Sequence, residues 1–216
     1  MKSTVYILSM AIAASILFTS HMPLIEDATN QRASFGFFET YTWTEILSDL
    51  DPADRFFQWV NTEGESKNGC RLGSCTEANS SELWDHIHSS KFRKQLPEDI
   101  RFAWGANKEK EVLVLYALKE HGSEQEYPNI SHIQDVSAKK STWNDSYELL
   151  ISFNEEGAKL WAGLTGANVD KDLAIVFNDK VYSAPNVREA IKGGKCSISG
   201  NLDEDDVNLI KSILEE

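Results

Sequence analysis

Apolar and polar positions divide this chain into a continuous apolar start, a helix-rich middle and a strand-rich remainder. Val5 to Phe18 is an almost unbroken apolar run behind Lys2, the pattern of a signal peptide or an N-terminal membrane anchor. Counted on through Leu24-Ile25 it reaches the roughly 20 residues that cross a bilayer. Lys2 before it and Glu26-Asp27 after it put the N-terminus inside and the rest outside. Its best cleavage candidate, Phe18-Thr19-Ser20, starts with a bulky residue, which favours an uncleaved anchor. Glu26 to Thr42 is mixed and polar and predicts a linker. Helical spacing follows: Ile46, Leu47 and Leu50 behind Thr44, then Phe56, Phe57 and Val60 behind Asp51-Pro52, a proline suited to a first helical turn. Asn61 to Ser80 is rich in Gly, Ser and Asn and predicts an exposed loop. Ser80 or Ser81 caps a further helix with Leu83, Trp84 and Ile87 inward, ending before Pro97.

From Ile100 the period shortens. Arg101–Trp104 and the run VLVLYAL from Val112 to Leu118 predict strands, and Ile130–Lys139 should pair antiparallel with Tyr147–Phe153. Asn154 caps a helix carrying Ala158, Leu160, Trp161 and Leu164. Leu173–Phe177 and Val181-Tyr182 flank Asn178-Asp179 as a hairpin, stopped by Pro185, which lacks a ladder donor. Gly193-Gly194 precedes an alternating Cys196, Ile198, Gly200 segment. Asn201 or Asp203 then starts a helix with Val207, Ile210 and Leu214 on one face and Glu204, Asp205 and Asp206 at its positive end. Helices mixed with mainly antiparallel strands, without a βαβ rhythm, predict an α+β fold. The expected organisation is a signal peptide or membrane anchor over 1–25, a linker and helical region with a Cys-containing loop over 26–95, and a domain over 96–216.

Charge and composition narrow the function classes. The 216 residues hold 34 Asp+Glu against 21 Lys+Arg, a net charge of -13. A nucleic-acid binder needs a basic face, so nucleic acid is not an expected partner. Cys70 and Cys75 sit in NGCRLGSC and predict a short-loop disulfide in an exported domain, leaving Cys196 as a buried free thiol. A zinc site is the rival reading, but no second Cys pair or finger-spaced His pair accompanies it. His86-x-His88 lies near Glu82 and Asp85, yet on a helix His86 and His88 point to different sides. The acids from Asp203 to Asp206 lack the glycine of a calcium loop and have a helix start to stabilise. Gly193-Gly194 between lysines lacks phosphate-loop spacing, no serine lies in G-x-S-x-G, and Cys196 has no nearby His. The expectation is a protein with no catalytic residues, no cofactor and no metal. Six tryptophans are mostly core material; Trp143, among Ser141, Thr142 and Asn144, is the one expected at the surface.

Longer motifs carry a resemblance. VYSAPNVREAIKGGKCSISGNLDEDDVNLIKSIL, preceded by ISFNEEGAKLWAGLTGANVDKDLAIVFN and by HIQDVSAKKSTWNDSYELLISF, closely resembles the first large periplasmic domain of SecD or of fused SecDF, the auxiliary membrane subunit of bacterial protein export. LPEDIRFAWGANKEKEVLVLYALKE extends the likeness back to Leu96, less tightly. The resemblance implies an outward-facing, SecD head-like domain that engages exported polypeptide or the Sec translocon, held to the cell membrane by the N-terminal segment or released to the periplasm. Trp143, Tyr182, Gly193 and Gly194 are the expected contact residues. The family's Gly-Leu-Asp-x-x-Gly-Gly motif is not found, and neither are its acidic proton-relay helices, so the motor role is not carried over. The alternative expectation is a stand-alone extracytoplasmic binding domain that uses the same fold for another protein or ligand.

Overall fold

Strand residues alternate between two faces of a sheet, and here both faces of the central strands are covered. The computed structural model describes residues 34–106, 111–120, 126–142 and 145–215. The expected anchor over Val5–Phe18 lies outside them, and among the described residues no helix is long and apolar enough to cross a membrane. In order the described elements are β1 Phe35–Glu39, α1 Trp43–Leu47, α2 Phe56–Trp59, β2 Val60–Asn61, β3 Arg71–Thr76, α3 Glu77–His88, α4 Ser90–Arg93, β4 Ile100–Gly105, β5 Val112–Lys119, β6 Ile133–Lys140, β7 Tyr147–Phe153, α5 Glu155–Ala167, β8 Leu173–Phe177, β9 Lys180–Ser183, β10 Lys195–Leu202 and α6 Glu204–Leu214. The fold is α+β.

Among the described residues the strands form a seven-stranded sheet, ordered β1-β8-β9-β4-β5-β3-β2, and a three-stranded sheet, β10-β7-β6. Neighbours are antiparallel except β4 and β9, which run parallel over two residue pairs. The larger sheet curls back on itself. Thr40, just past β1, bridges to Leu118 of β5, and the Tyr41 N–H donates to the Ala117 carbonyl at 3.1 Å. Five strands, β1, β8, β9, β4 and β5, thereby encircle a narrow core of Phe38, Ala103, Leu118, Ala174, Val176 and Val181. Ala103 and Ala174 suit that tight interior.

Outside the curl lie two separate packed layers. On one side α1 to α4 cover Leu72, Cys75, Ile100, Phe102, Leu115 and Ala117. On the other, α5, α6 and the inner face of the small sheet cover Phe37, Leu173, Ile175 and Phe177. All five residues of β8 are buried for this reason, since odd positions face the second layer and even positions the curl.

Several elements differ from the sequence expectation. The stretch expected as a linker contains β1, whose adjacent Phe37 and Phe38 are both buried. A strand covered on both faces shows no alternation. The loop expected over Asn61–Ser80 contains β3, where Leu72 and Cys75 face the core. Gly73 has φ +151°, and a Cβ there would lie 2.4 Å from the Asn61 carbonyl oxygen. That close approach accompanies a register shift against β5, so the glycine marks a bulge and not a loop. The next helix begins at Glu77, before the expected serine caps, and α1 is capped by Thr42 in a box with Glu45. The β8–β9 hairpin forms as expected, with Asn178 and Asp179 at φ 46° and 61°, the conformation of a two-residue type I′ turn.

Candidate functional site

A groove of about 370 Å³ opens between α5, β8, the start of β10 and the connecting segment 185–191. Its walls are mainly apolar, with Trp161, Leu173, Val187 and Ile191 among the lining residues and Cys196 at its edge. That size and lining suit one or two apolar side chains with their backbone.

The walls are fixed by the chain around them. Asn154 caps α5 by accepting the Gly157 N–H at 2.9 Å, and Glu155 and Glu156 follow in the first turn, where negative charge is favoured. This sets the helix so that the Trp161 indole N–H donates to the Lys195 carbonyl at 3.1 Å, tying β10 to α5. The 185–191 segment is pinned at both ends. Val187 exchanges backbone bonds with the 170–171 turn, donating to Lys171 at 2.9 Å and accepting from Asp170 at 2.8 Å, while the Leu173 N–H reaches the Pro185 carbonyl at 3.0 Å. At the far end the Ile191 N–H donates to Thr165 Oγ1 at 2.9 Å. Thr165 passes its own proton to the Trp161 carbonyl at 2.7 Å, so a buried hydroxyl is fully used. Between the pins Ile191 stays 38% exposed, an apolar side chain at the rim of an apolar groove.

Arg188, Glu189 and Ser197 also line the groove. Burial pushes the Cys196 thiol up to about 12, so the thiolate needed for attack is absent at neutral pH. Among the described residues no group of three or more His, Cys, Asp or Glu is placed to hold a metal ion. His86 Nε2 meets Asp54 Oδ1 at 2.7 Å, whereas His88 Nδ1 meets the Trp84 carbonyl at 2.8 Å. The two imidazoles serve different partners. Asp203 and Asp206 cap each other's backbone N–H at the start of α6.

The sequence-derived contact residues are scattered. Trp143 lies outside the described residues. Tyr182 is half-buried, its ring edge-on to Phe177 at a centroid distance of 5.5 Å. Gly193 is exposed with open space around it, while Gly194 is buried at φ +62° with Ala158 beneath it. The Gly194 carbonyl accepts the Phe153 N–H at 2.8 Å, which makes it part of the scaffold. The expected Cys70–Cys75 disulfide is corrected: both thiols are free and buried. Cys70 precedes β3 and Cys75 lies near its end, and five steps along the strand separate them by roughly 15 Å, well beyond the roughly 7 Å between Cα atoms that a disulfide spans. The 185–191 segment was missed as a site; Val187 and Ile191, apolar in an otherwise polar connection, were its only signal.

The stretch that builds the groove has relatives among known families. Residues 123–216 match the SecDF P1 head subdomain. The head match takes in α5, β8, β10 and the 185–191 segment, so every groove wall lies inside it. Relatives include the SecD protein translocase subunit of Rhodothermus marinus, 43% identical over 68 residues, which are 32% of this chain and 11% of that protein. That of Syntrophobacter fumaroxidans is 35% identical over 83 residues, 38% of this chain and 16% of that protein. The chain therefore spans a small fraction of the SecD proteins it matches. A SecDF structure described as a membrane component that enhances protein export is 23% identical, covers 72% of this chain and 59% of its own, and superposes with a TM-score of 0.38.

Proposed function

We propose that this protein is a SecD-like accessory to protein export, facing the periplasm, that uses the groove to hold apolar segments of an unfolded polypeptide. The Val5–Phe18 run serves as its attachment to the cell membrane. In this reading the protein acts by presenting a surface. One observation carries the reading: a pinned apolar groove, with Ile191 exposed at its rim, lies wholly within the span matched to the SecDF head. Burying an apolar side chain there contributes on the order of 1.5–3 kcal/mol, enough for weak, reversible contact with many sequences and too little for a fixed partner.

A photo-activated residue at Ile191 tests this in export-competent cells, with others at Tyr182 and Gly193. Ile191 should capture a secretory precursor or a Sec subunit, and Val187→Trp, which fills the groove, should abolish that capture while leaving the fold intact. Capture that is unaffected by Val187→Trp, or no capture at any of the three positions, rejects the reading.

A further inference from the structure

Among the described residues the small sheet ends in a strand with no neighbour on its second side. In the order β10-β7-β6, strand β6 pairs with β7 alone among the described strands, and apart from half-buried Ile133 and Val136 its residues are exposed. Such an edge presents a row of unpaired backbone groups to any other strand. Alternation tells which groups these are. The Ser141 N–H donates to the Ser146 carbonyl at 2.9 Å, so Lys139 and Ser137 also direct their backbone groups at β7. Val136, Ala138 and Lys140 direct theirs outward.

The side chains follow the same period. Asp135, Ser137 and Lys139 share the outer face with Ser152, Leu150 and Glu148, while Val136 and Ala138 share the inner face with Ile151 and Leu149. Among the described residues neither Asp135 nor Lys139 has an ion-pair partner, although Lys139 stands across from Glu148.

We infer that β6 is a homotypic pairing edge: two copies of this chain join antiparallel about Ser137 and form one continuous six-stranded sheet. With Ser137 opposite its own copy, Val136 of each chain meets Ala138 of the other. Both direct their groups outward, so the two pairs exchange four backbone hydrogen bonds. The same register puts Asp135 opposite the second copy's Lys139, and does so twice because of the two-fold axis. Centring the pair on Val136 instead sets Asp135 opposite Ser137 and Lys139 opposite Ile133, and centring it on Ala138 sets them opposite Ser141 and Ser137, without compensation in either case. Lysines on an edge strand repel most foreign strands. A second β6 brings a carboxylate to each Lys139, so the edge favours its own copy.

Ser137 is a direct test, since opposed residues in a non-hydrogen-bonded pair have close Cβ atoms, within disulfide reach. The native cysteines are all buried and leave a clean background. The full-length chain in detergent, carrying Ser137→Cys, should form a covalent homodimer under mild oxidation, while Gly193→Cys should remain monomeric. Sedimentation should show D135K weakening the dimer about ten-fold, with D135K/K139D returning it to within about two-fold of the parent. Circular dichroism identical to the parent keeps misfolded variants out of the comparison. The inference is overturned if Ser137→Cys links no better than Gly193→Cys, if it links to other proteins and not to itself, or if the charge swap fails to rescue D135K.

Discussion

The two layers outside the curled sheet solve the same packing problem differently. The α1–α4 layer uses short helices, of four to twelve residues, too short to hold themselves together in water. They are held by aromatic and polar contacts. Phe56 stacks on Phe92 at 5.8 Å, His86 lies 5.0 Å from Phe92, and Arg55 sits 4.6 Å over the Trp59 ring. The α5–α6 layer uses two helices of 13 and 11 residues, each capped by a side chain, and a separate three-stranded sheet. Its core is equally apolar, yet it keeps a groove under the 185–191 segment and an open strand edge. The first layer spends its side chains on closure, the second leaves surface to offer. The proposed function and the inferred pairing both draw on the second.

The hardest test of that contrast is whether the layers share one folding unit. Phe37 packs 4.7 Å from Trp161 in the second layer, and its strand β1 also bridges to β5 beneath the first. Phe37→Ala should cost about 3–5 kcal/mol, as should Phe56→Ala in the other layer. Both should shift a single urea transition. Two transitions, each sensitive to only one substitution, would separate the layers.

Next in size is Gly194. Its φ of +62° suits glycine, and a Cβ would lie 2.8 Å from that of Ala158. Backbone strain and overlap together predict about 2 kcal/mol for Gly194→Ala. Gly193→Ala, with nothing near it, should change stability by a few tenths of a kcal/mol. Equal effects would mean that this turn does not seat β10 on α5.

The same contrast explains what was legible in the sequence. In the second layer the local signals agree with the final structure: Asn154 and Asp203 cap the helices they were expected to cap, and Asn178-Asp179 makes the turn its flanking runs required. Elsewhere tertiary context overrode local signals. β1 shows no alternation because the curl covers one of its faces and the second layer the other, and β3, under the first layer, hides behind a glycine that permits a bulge. The groove was unreadable because its walls come from four stretches, joined by backbone bonds from Val187, by the Thr165 hydroxyl and by the Trp161 indole.

A smaller effect sharpens the account of the first layer. Burial opposes the charged form of Asp54, but the Phe56 N–H and His86 more than offset it and hold the carboxyl below its ordinary range. A depressed folded-state value adds stability that is complete above the unfolded value, about 4, and is lost as pH falls through the folded one. Asp54→Asn should therefore cost about 1–2 kcal/mol near neutral pH, and the gap to the parent should narrow below about pH 4. Urea midpoints measured across that range decide it. A gap independent of pH would mean that the pair contributes shape and not charge.

The smallest expected effect is none at all, and it bears on how the first layer is closed. If a Cys70–Cys75 bond held β3, reductant would remove loop-closure stabilisation, typically 2–4 kcal/mol. Both thiols are instead buried in separate places. Burial, then the nearby Asp172 carboxylate, pushes the Cys70 thiol upward, and burial does the same at Cys75. Neutral buried thiols exchange slowly and pack as small apolar groups. The thermal midpoint should therefore be the same with and without dithiothreitol, and thiol-directed maleimide should label neither cysteine until the protein unfolds. A midpoint that falls with reductant would return the closure of this layer to a covalent bond and remove the reason for its dense aromatic packing.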